Sequence, residues 1–293
     1  MSILTSRDTK VLVQNITGRE GSFHTLKMIE YGTKIPGGVA PGKGGMKVHG
    51  LPVFNSVYDA VKHESYDASV IFVPAPAALD AIMEAGSAGI KLIICITEGI
   101  PVRDSLKAYE YIKKNNITMI GPNCPGIISP GKSKIGIMPG YIHKEGKIGI
   151  ISRSGTLTYE IVYLLTQNGM GQSTCVGLGG DPVAGSSFID ILKMMEGDGD
   201  TELIIMVGEI GGRDEEDAAD YIKANMKTPV IAFIAGQTAP PGKRMGHAGA
   251  IISGGGEGSA VNKIRYIREL GIDVADFPFL IPEIIKKKHG FSL

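Results

Sequence analysis

One histidine stands in a stretch built almost without bulk: "GKRMGHAGAIISGGGEGSA", residues 242–260, sets glycines on both sides of His247. Glycines leave the backbone free and keep side chains from the ring, so an imidazole there is placed to be reached and to move. Two further segments carry complementary chemistry. "VGEIGG" sets a carboxylate, Glu209, after an apolar run, and "SRSGTLTYE" sets Ser154 and Gly155 where a strand gives way to a helix. A helix start presents unpaired N–H groups and the positive end of the helix dipole, which hold a phosphate without a charged side chain. Histidine, carboxylate and helix start are the parts that phosphoryl transfer through histidine requires. With an ordinary pKa of about 6.5, histidine is largely neutral at pH 7 and attacks phosphorus without a strong base. A carboxylate on one ring nitrogen fixes the tautomer and stabilises the positive charge that grows as the other nitrogen attacks. Fixed dipoles then hold the charge of the phosphohistidine. The plain alternatives are an idle loop histidine, a surface acid and an ordinary serine helix cap.

A second anion site is suggested by "NITGREG", where Gly18 and Gly21 precede a helix and Thr17 offers a hydroxyl. It resembles the dinucleotide fingerprint, in which glycines let backbone amides approach a pyrophosphate at a helix N-terminus. It departs from the NAD form at two points. Ile16 stands where the first glycine of G-x-G-x-x-G belongs, and no acidic residue follows about twenty residues on to hold a ribose diol. "GGVAPGKGG" stands there instead, and its Lys43 suits an additional phosphate, as on the ribose of coenzyme A or NADP. A tight structural turn is the alternative. No G-x-x-x-x-G-K-[ST] and no kinase signature occurs, so the phosphoryl donor is expected on a partner subunit.

The elements that must position these residues follow from periodicity. Short apolar runs alternate with amphipathic stretches: "KVLVQNI" with "GSFHTLKMIEYG", "ASVIFVP" with "PAALDAIMEAGSAG", "KLIICIT" with "VRDSLKAYEYIKKNN". Repeated strand–helix units predict an α/β fold with parallel sheets covered by helices. "TMIGPNCPGIISPGKSKIGIMPGYIHKEG" breaks the rhythm with proline and glycine, and the domain boundary is placed there, giving residues 1–125 and 126–293. The rhythm resumes with "KIGIISRSG" into "TLTYEIVYLLTQNG", "QSTCVGL" into "GSSFIDILKMMEG", "ELIIMVGEI" into "DEEDAADYIKANM", and "PVIAFIAG" into the histidine loop. A last helix, "EGSAVNKIRYIREL", is expected to open on an acidic, small-residue first turn. His247, Glu209 and Ser154 thus each follow a parallel strand, at the sheet edge where α/β proteins bind ligands.

Composition excludes several classes. The 293 residues suffice for two domains. Thirty basic and thirty acidic side chains cancel, which leaves no footprint for nucleic acid. "MSILTSRDTK" is too polar for a signal peptide, and the apolar runs are too short to span a bilayer. A cytoplasmic bacterial or archaeal location is expected ahead of a mitochondrial matrix, because no Arg-rich, acidic-poor presequence is seen. Cys95, Cys124 and Cys175 form no CxxC pair, so neither a disulfide framework nor a metal site is expected.

"SRSGTLTYE" followed by "GQSTCVGLGGD", and "GQTAPPGKRMGHAG", together with "GPNCPG" and "GGVAPGKGG", resemble the motifs of the succinyl-CoA synthetase (succinate–CoA ligase, ADP- or GDP-forming) alpha-subunit family. The resemblance runs through almost the whole chain. It implies a Rossmann-like coenzyme A-binding domain followed by a flavodoxin-like domain. It implies that His247 is the phosphohistidine and Glu209 its carboxylate partner, that Ser154 and Gly155 belong to the helix cradling the phosphate, and that Tyr159 lies at the succinate site. Thr17, Gly18, Arg19, Glu20, Gly21, Lys43, Ile96, Thr97 and Glu98 match coenzyme A contacts. Arg19 and Glu20 stand where the family often carries small or amide side chains, so the resemblance carries over the backbone contacts there and not the side-chain ones. Cys124 matches a cysteine near the thiol end, a buried small residue being the alternative. The implied partner is an ATP-grasp beta subunit that binds ATP or GTP with magnesium, in an αβ or α2β2 complex of the tricarboxylic acid cycle. Acid–CoA ligases for malate or acetate and a citrate lyase component share this chemistry. A non-catalytic coenzyme A- or NAD(P)-binding regulator is the alternative from another class.

Overall fold

Every apolar run identified above becomes a strand. In the computed structural model, residues 2–240, 242–243, 245–252 and 258–290 are described. They fall into two units, one of Leu4–Met138 with Val183–Ser186, the other of Pro139–Pro182 with the chain from Ser187 onward and residues 2–3. The first unit runs β1 (Lys10–Gln14), α1 (Arg19–Tyr31), β2 (Lys34–Val39), β3 (Lys47–Val48), β4 (Leu51–Phe54), α2 (Val57–His63), β5 (Ala68–Ile71), α3 (Ala78–Ser87), β6 (Leu92–Cys95), α4 (Val102–Lys114) and β7 (Thr118–Ile120), then β8 (Gly126–Ser129) and β9 (Ser133–Gly136). Its main sheet is ordered β3-β4-β2-β1-β5-β6-β7, parallel except for the β3–β4 pair. The residues of β5 and β6 are all buried, as strands with helices on both faces must be. β1 lies between β2 and β5, where the strand order reverses and a crevice opens at the carboxyl ends. This is the Rossmann order.

The second unit continues with β10 (Glu145–Ser152), α5 (Gly155–Gln167), β11 (Gln172–Gly177), α6 (Phe188–Glu196), β12 (Leu203–Gly208), α7 (Asp214–Asn225), β13 (Val230–Ile234), α8 (Ala260–Glu269), β14 (Asp273–Ala275) and α9 (Ile281–Lys288). Its strands are parallel and ordered β14-β13-β12-β10-β11. That is the flavodoxin-like order, with its switch point between β10 and β12. β11, β12 and β13 are buried along their whole length. Among the described residues no helix is long and apolar enough to cross a membrane.

Four features differ from the sequence reading. β2, "KIPGGV", does not read as a strand, because proline cannot donate to a ladder; its pairing with β1 shifts register between Lys10 and Leu12, which accommodates Pro36. The proline-rich break contains β7 and an antiparallel hairpin, β8 with β9. By contacts the hairpin groups with the residues of the first unit, which runs to Met138, and Thr33 Oγ1 donates to the Lys134 carbonyl at 2.7 Å. Helix α8 is followed by α9, and its cap is Ser259, whose hydroxyl accepts the Asn262 N–H at 3.4 Å. No acidic residue lies in the first turn of α8, and Glu257 is outside the described residues.

Candidate active site

The chain leaves β13 into the histidine loop and brings His247 back over the ends of its neighbours. Nδ1 of His247 lies 2.8 Å from Oε2 of Glu209, the first residue beyond β12. The second Glu209 oxygen faces Nε of Arg153 at 3.7 Å. Arg153 is the first residue beyond β10, and both it and Glu209 are nearly buried. The two residues therefore occupy the two strand ends that flank the switch point. The Arg153 guanidinium also donates from Nη1 to Asp214 at 3.1 Å and from Nη2 to the Asp181 carbonyl at 3.3 Å. Beyond β11, Gly180 supplies the floor for the ring, since a Cβ there would stand 2.1 Å from Cγ of His247.

This environment sets the protonation of the imidazole. The hydrogen bond and charge of Glu209 raise the His247 pKa above its ordinary value, opposed by burial and by Arg153, with Asp181 adding to the rise. With Nδ1–H donating to Glu209, the lone pair falls on Nε2. Arg153 is missing from the sequence reading, although it sits inside "SRSG"; its signal is a lone cation between a strand-end serine, Ser152, and the helix-capping Ser154.

Ser154 is the N-cap of α5: its hydroxyl accepts the Leu157 N–H at 3.3 Å, while its own N–H donates to Ser152 Oγ at 3.1 Å. Its hydroxyl is thus engaged within the helix start. Gly155 is the first residue of α5, and Tyr159 lies one turn further on, half-buried. The helix begins beside Arg153, next to the same strand end.

The first unit assembles the turn read above as a second candidate anion site. Nζ of Lys43 donates to Oγ1 of Thr17 at 3.0 Å, bringing together two residues distant in sequence. Gly18 is the N-cap of α1, without a side-chain cap. Gly21 lets the helix close on the turn, because a Cβ there would stand 2.1 Å from the Asn15 carbonyl oxygen. Ile16 is fully buried where the fingerprint has glycine. The Arg19 side chain is 96% exposed and lies 3.8 Å from Glu20, which is also 3.6 Å from His24; both side chains turn to solvent. Ile96, Thr97 and Glu98 follow β6. Thr97 is held from two sides, its hydroxyl donating to the Val73 carbonyl at 2.7 Å and its carbonyl accepting the Asn123 N–H at 2.9 Å. Glu98 is exposed. Cys124 is buried, its thiol donating to the Cys95 carbonyl at 3.3 Å. Among the described residues no group of three or more His, Cys, Asp or Glu could hold a metal ion.

Residues 6–99 match the CoA binding domain family and residues 151–264 match the CoA-ligase family. A coenzyme A-binding module followed by this ligase module defines a coenzyme A ligase. The chain is 57% identical, over 98% of its length and 94% of the relative's, to the succinate–CoA ligase (ADP-forming) subunit alpha of Aquifex aeolicus. It is 57% identical, over 97% of its length and 99% of the relative's, to the succinate–CoA ligase (ADP-forming) subunit alpha 2 of Archaeoglobus fulgidus. The chain belongs to the succinate–CoA ligase alpha-subunit family. Its fold is also that of an ATP citrate lyase of Methanosaeta concilii solved with (3S)-citryl-CoA, at a TM-score of 0.87 and 23% identity. There it covers 99% of this chain and 52% of the lyase, so it spans about half of that longer protein.

Proposed function

We propose that this chain is the alpha half of a succinate–CoA ligase, which reversibly converts succinate, coenzyme A and a nucleoside triphosphate into succinyl-CoA, the diphosphate and phosphate, a step of the tricarboxylic acid cycle. The observation that carries the reading is the 2.8 Å contact of His247 with a nearly buried Glu209 at the switch point of the ligase unit. The triphosphate binds to a partner, an ATP-grasp beta subunit with its magnesium, and the ADP-forming names of the relatives favour ATP. Nε2 of His247 attacks the γ-phosphorus; the N–P bond forms as the bond to the diphosphate breaks. Glu209, accepting the Nδ1–H hydrogen bond, offsets the positive charge on the ring. Arg153 moderates that carboxylate, so that the imidazole keeps a neutral fraction able to attack. The start of α5 at Ser154 and Gly155 offers its dipole to the phosphoryl oxygens.

A succinate carboxylate, taken up near Tyr159, then attacks phosphorus. Succinyl phosphate forms and His247 is restored. The coenzyme A sulfur attacks the acyl carbon, the C–O bond to phosphate breaks, and the thiol proton leaves with phosphate or solvent. Each step has a competent leaving group, which a direct condensation of acid and thiol lacks. Thr17, Lys43 and the backbone of residues 18–21 hold the coenzyme's phosphates, with residues 96–98 on the same edge. Arg19 and Glu20 contribute through their backbone. The reading carries a cytoplasmic location with it.

The test is intact and peptide mass spectrometry of the chain with its partner subunit, incubated with magnesium and ATP or GTP at neutral to alkaline pH. A phosphoryl increment on the peptide containing His247, discharged by succinate with coenzyme A, is expected. His247→Asn is expected to lose the increment and turnover while coenzyme A affinity is unchanged. Discharge only by malate, acetate or citrate would keep the chemistry and change the substrate, and retained turnover in His247→Asn would end the mechanism.

A further inference from the structure

Behind Glu209 lies a cluster of buried charge that the reaction above does not use. Lys263 on α8 and Glu215 in the first turn of α7 are both completely buried, and the ammonium contacts the Glu215 carboxylate directly. Nζ of Lys263 also donates to the carbonyl of Gly211 at 2.6 Å and stands 3.6 Å from Glu216. The other oxygen of Glu215 accepts the backbone N–H of Glu209 at 3.1 Å. Gly208 leaves room for this, because a Cβ there would stand 2.3 Å from Cγ of Glu215. The segment that carries the Glu209 carboxylate is therefore tied at both ends, its amide to Glu215 and the Gly211 carbonyl to Lys263. Stability alone does not account for the pair, since burying two ions is unfavourable against apolar side chains of the same volume. What ions add is direction: each bond fixes a named backbone atom.

We propose that Glu215 and Lys263 are positioning residues, locking residues 208–211 so that the Glu209 carboxylate is aimed at Nδ1 of His247. The proposal rests on the phosphohistidine reading and deepens it. Neither residue touches the reacting atoms; both act through Glu209. The consequence is visible in pH dependence. The charged groups facing the imidazole are Glu209, Arg153 and Asp181; Asp214 pairs with Arg153, and Glu215, Glu216 and Lys263 close the side behind Glu209. Glu209 is the largest cause of the raised His247 pKa. Losing its aim therefore slows phosphoryl uptake and moves the acid limb of uptake to lower pH. A variant that only weakens folding loses active fraction and leaves the limb in place.

The experiment is single-turnover phosphorylation of the full chain with its partner subunit by magnesium-ATP, measured from acid to mildly alkaline pH, with coenzyme A affinity as a control. Glu215→Ala is expected to slow uptake about 10- to 100-fold, the loss seen when a residue that orients a ligand is removed, and to shift the acid limb down. Glu215→Gln keeps an oxygen for the Glu209 N–H and is expected to restore most of the rate and the limb. If Glu215→Ala does not fold, the double variant Glu215→Gln with Lys263→Met, which removes both charges without a cavity, carries the test: the Gly211 carbonyl loses its donor, and uptake and limb are expected to fall. Wild-type uptake with an unmoved limb in a folded Glu215→Ala or double variant would overturn this proposal alone. No uptake by the wild-type complex would overturn the phosphohistidine reading and this proposal with it.

Discussion

The His247 ring is governed by groups of opposite sign on neighbouring strand ends. Glu209 raises its pKa and Arg153 lowers it, so protonation and nucleophilicity are set by a balance of a few ångströms. The sign of the consequence is fixed. In the proposed reaction the attacking species is neutral, so a raised pKa puts the acid limb of phosphoryl uptake above histidine's ordinary value of about 6.5. In Glu209→Gln the limb is expected to move down toward that value, while the rate above it falls about 10- to 100-fold because the ring's positive charge loses its partner. A pH profile of phosphohistidine formation checks both; an unmoved limb would remove Glu209 from the role. His247, Glu209 and Ser154, the residues of the proposed site, were conspicuous in the sequence because each breaks local pattern, a ring among glycines or a polar residue closing an apolar run. Arg153 was not, because sequence does not tell which way a strand-end side chain turns, and its pairing with Glu209 is a fact of sheet order. For Cys124, burial and a bond to a carbonyl match the modest packing reading as well as any chemical one.

Elements decide whether such residues can meet. The parallel order β14-β13-β12-β10-β11 puts the ends of β10 and β12 side by side, and that much follows from buried apolar runs alternating with amphipathic helices. Among the strands that stayed hidden, β2 and the β8–β9 hairpin carry proline and glycine that imitate loop composition; what makes them strands is pairing, which local composition does not show. The end of β11 contributes only space, through Gly180. Gly180→Ala is expected to push the ring off Glu209 and slow phosphoryl uptake without altering coenzyme A affinity, because the added Cβ would meet the imidazole at 2.1 to 2.5 Å. Uptake at the wild-type rate would mean that the ring works from another position.

Across the whole molecule, charge cancels, thirty basic against thirty acidic side chains, so anion binding depends on local geometry. A ligand that binds only the native state stabilises it, by about 2.7 kcal/mol at a hundredfold excess over Kd. Coenzyme A is expected to raise the melting temperature of the full chain, NAD(P) is expected to leave it unchanged, and the rise is expected to shrink in Lys43→Ala. Thermal shift assays separate the ligase from a nicotinamide-binding regulator on this basis, a rise with NAD(P) alone favouring the regulator. The first unit is also discontinuous: Val183–Ser186 returns to it, with the Gly185 N–H donating to the Gly121 carbonyl at 2.8 Å and Ser186 Oγ to the Met119 carbonyl at 2.9 Å. A gene rearrangement that exchanged this coenzyme-binding half for another would have to make junctions after Met138, after Pro182 and after Ser186, not one. Fusion at either terminus interrupts neither segment, and so offers evolution the simpler route to a longer enzyme.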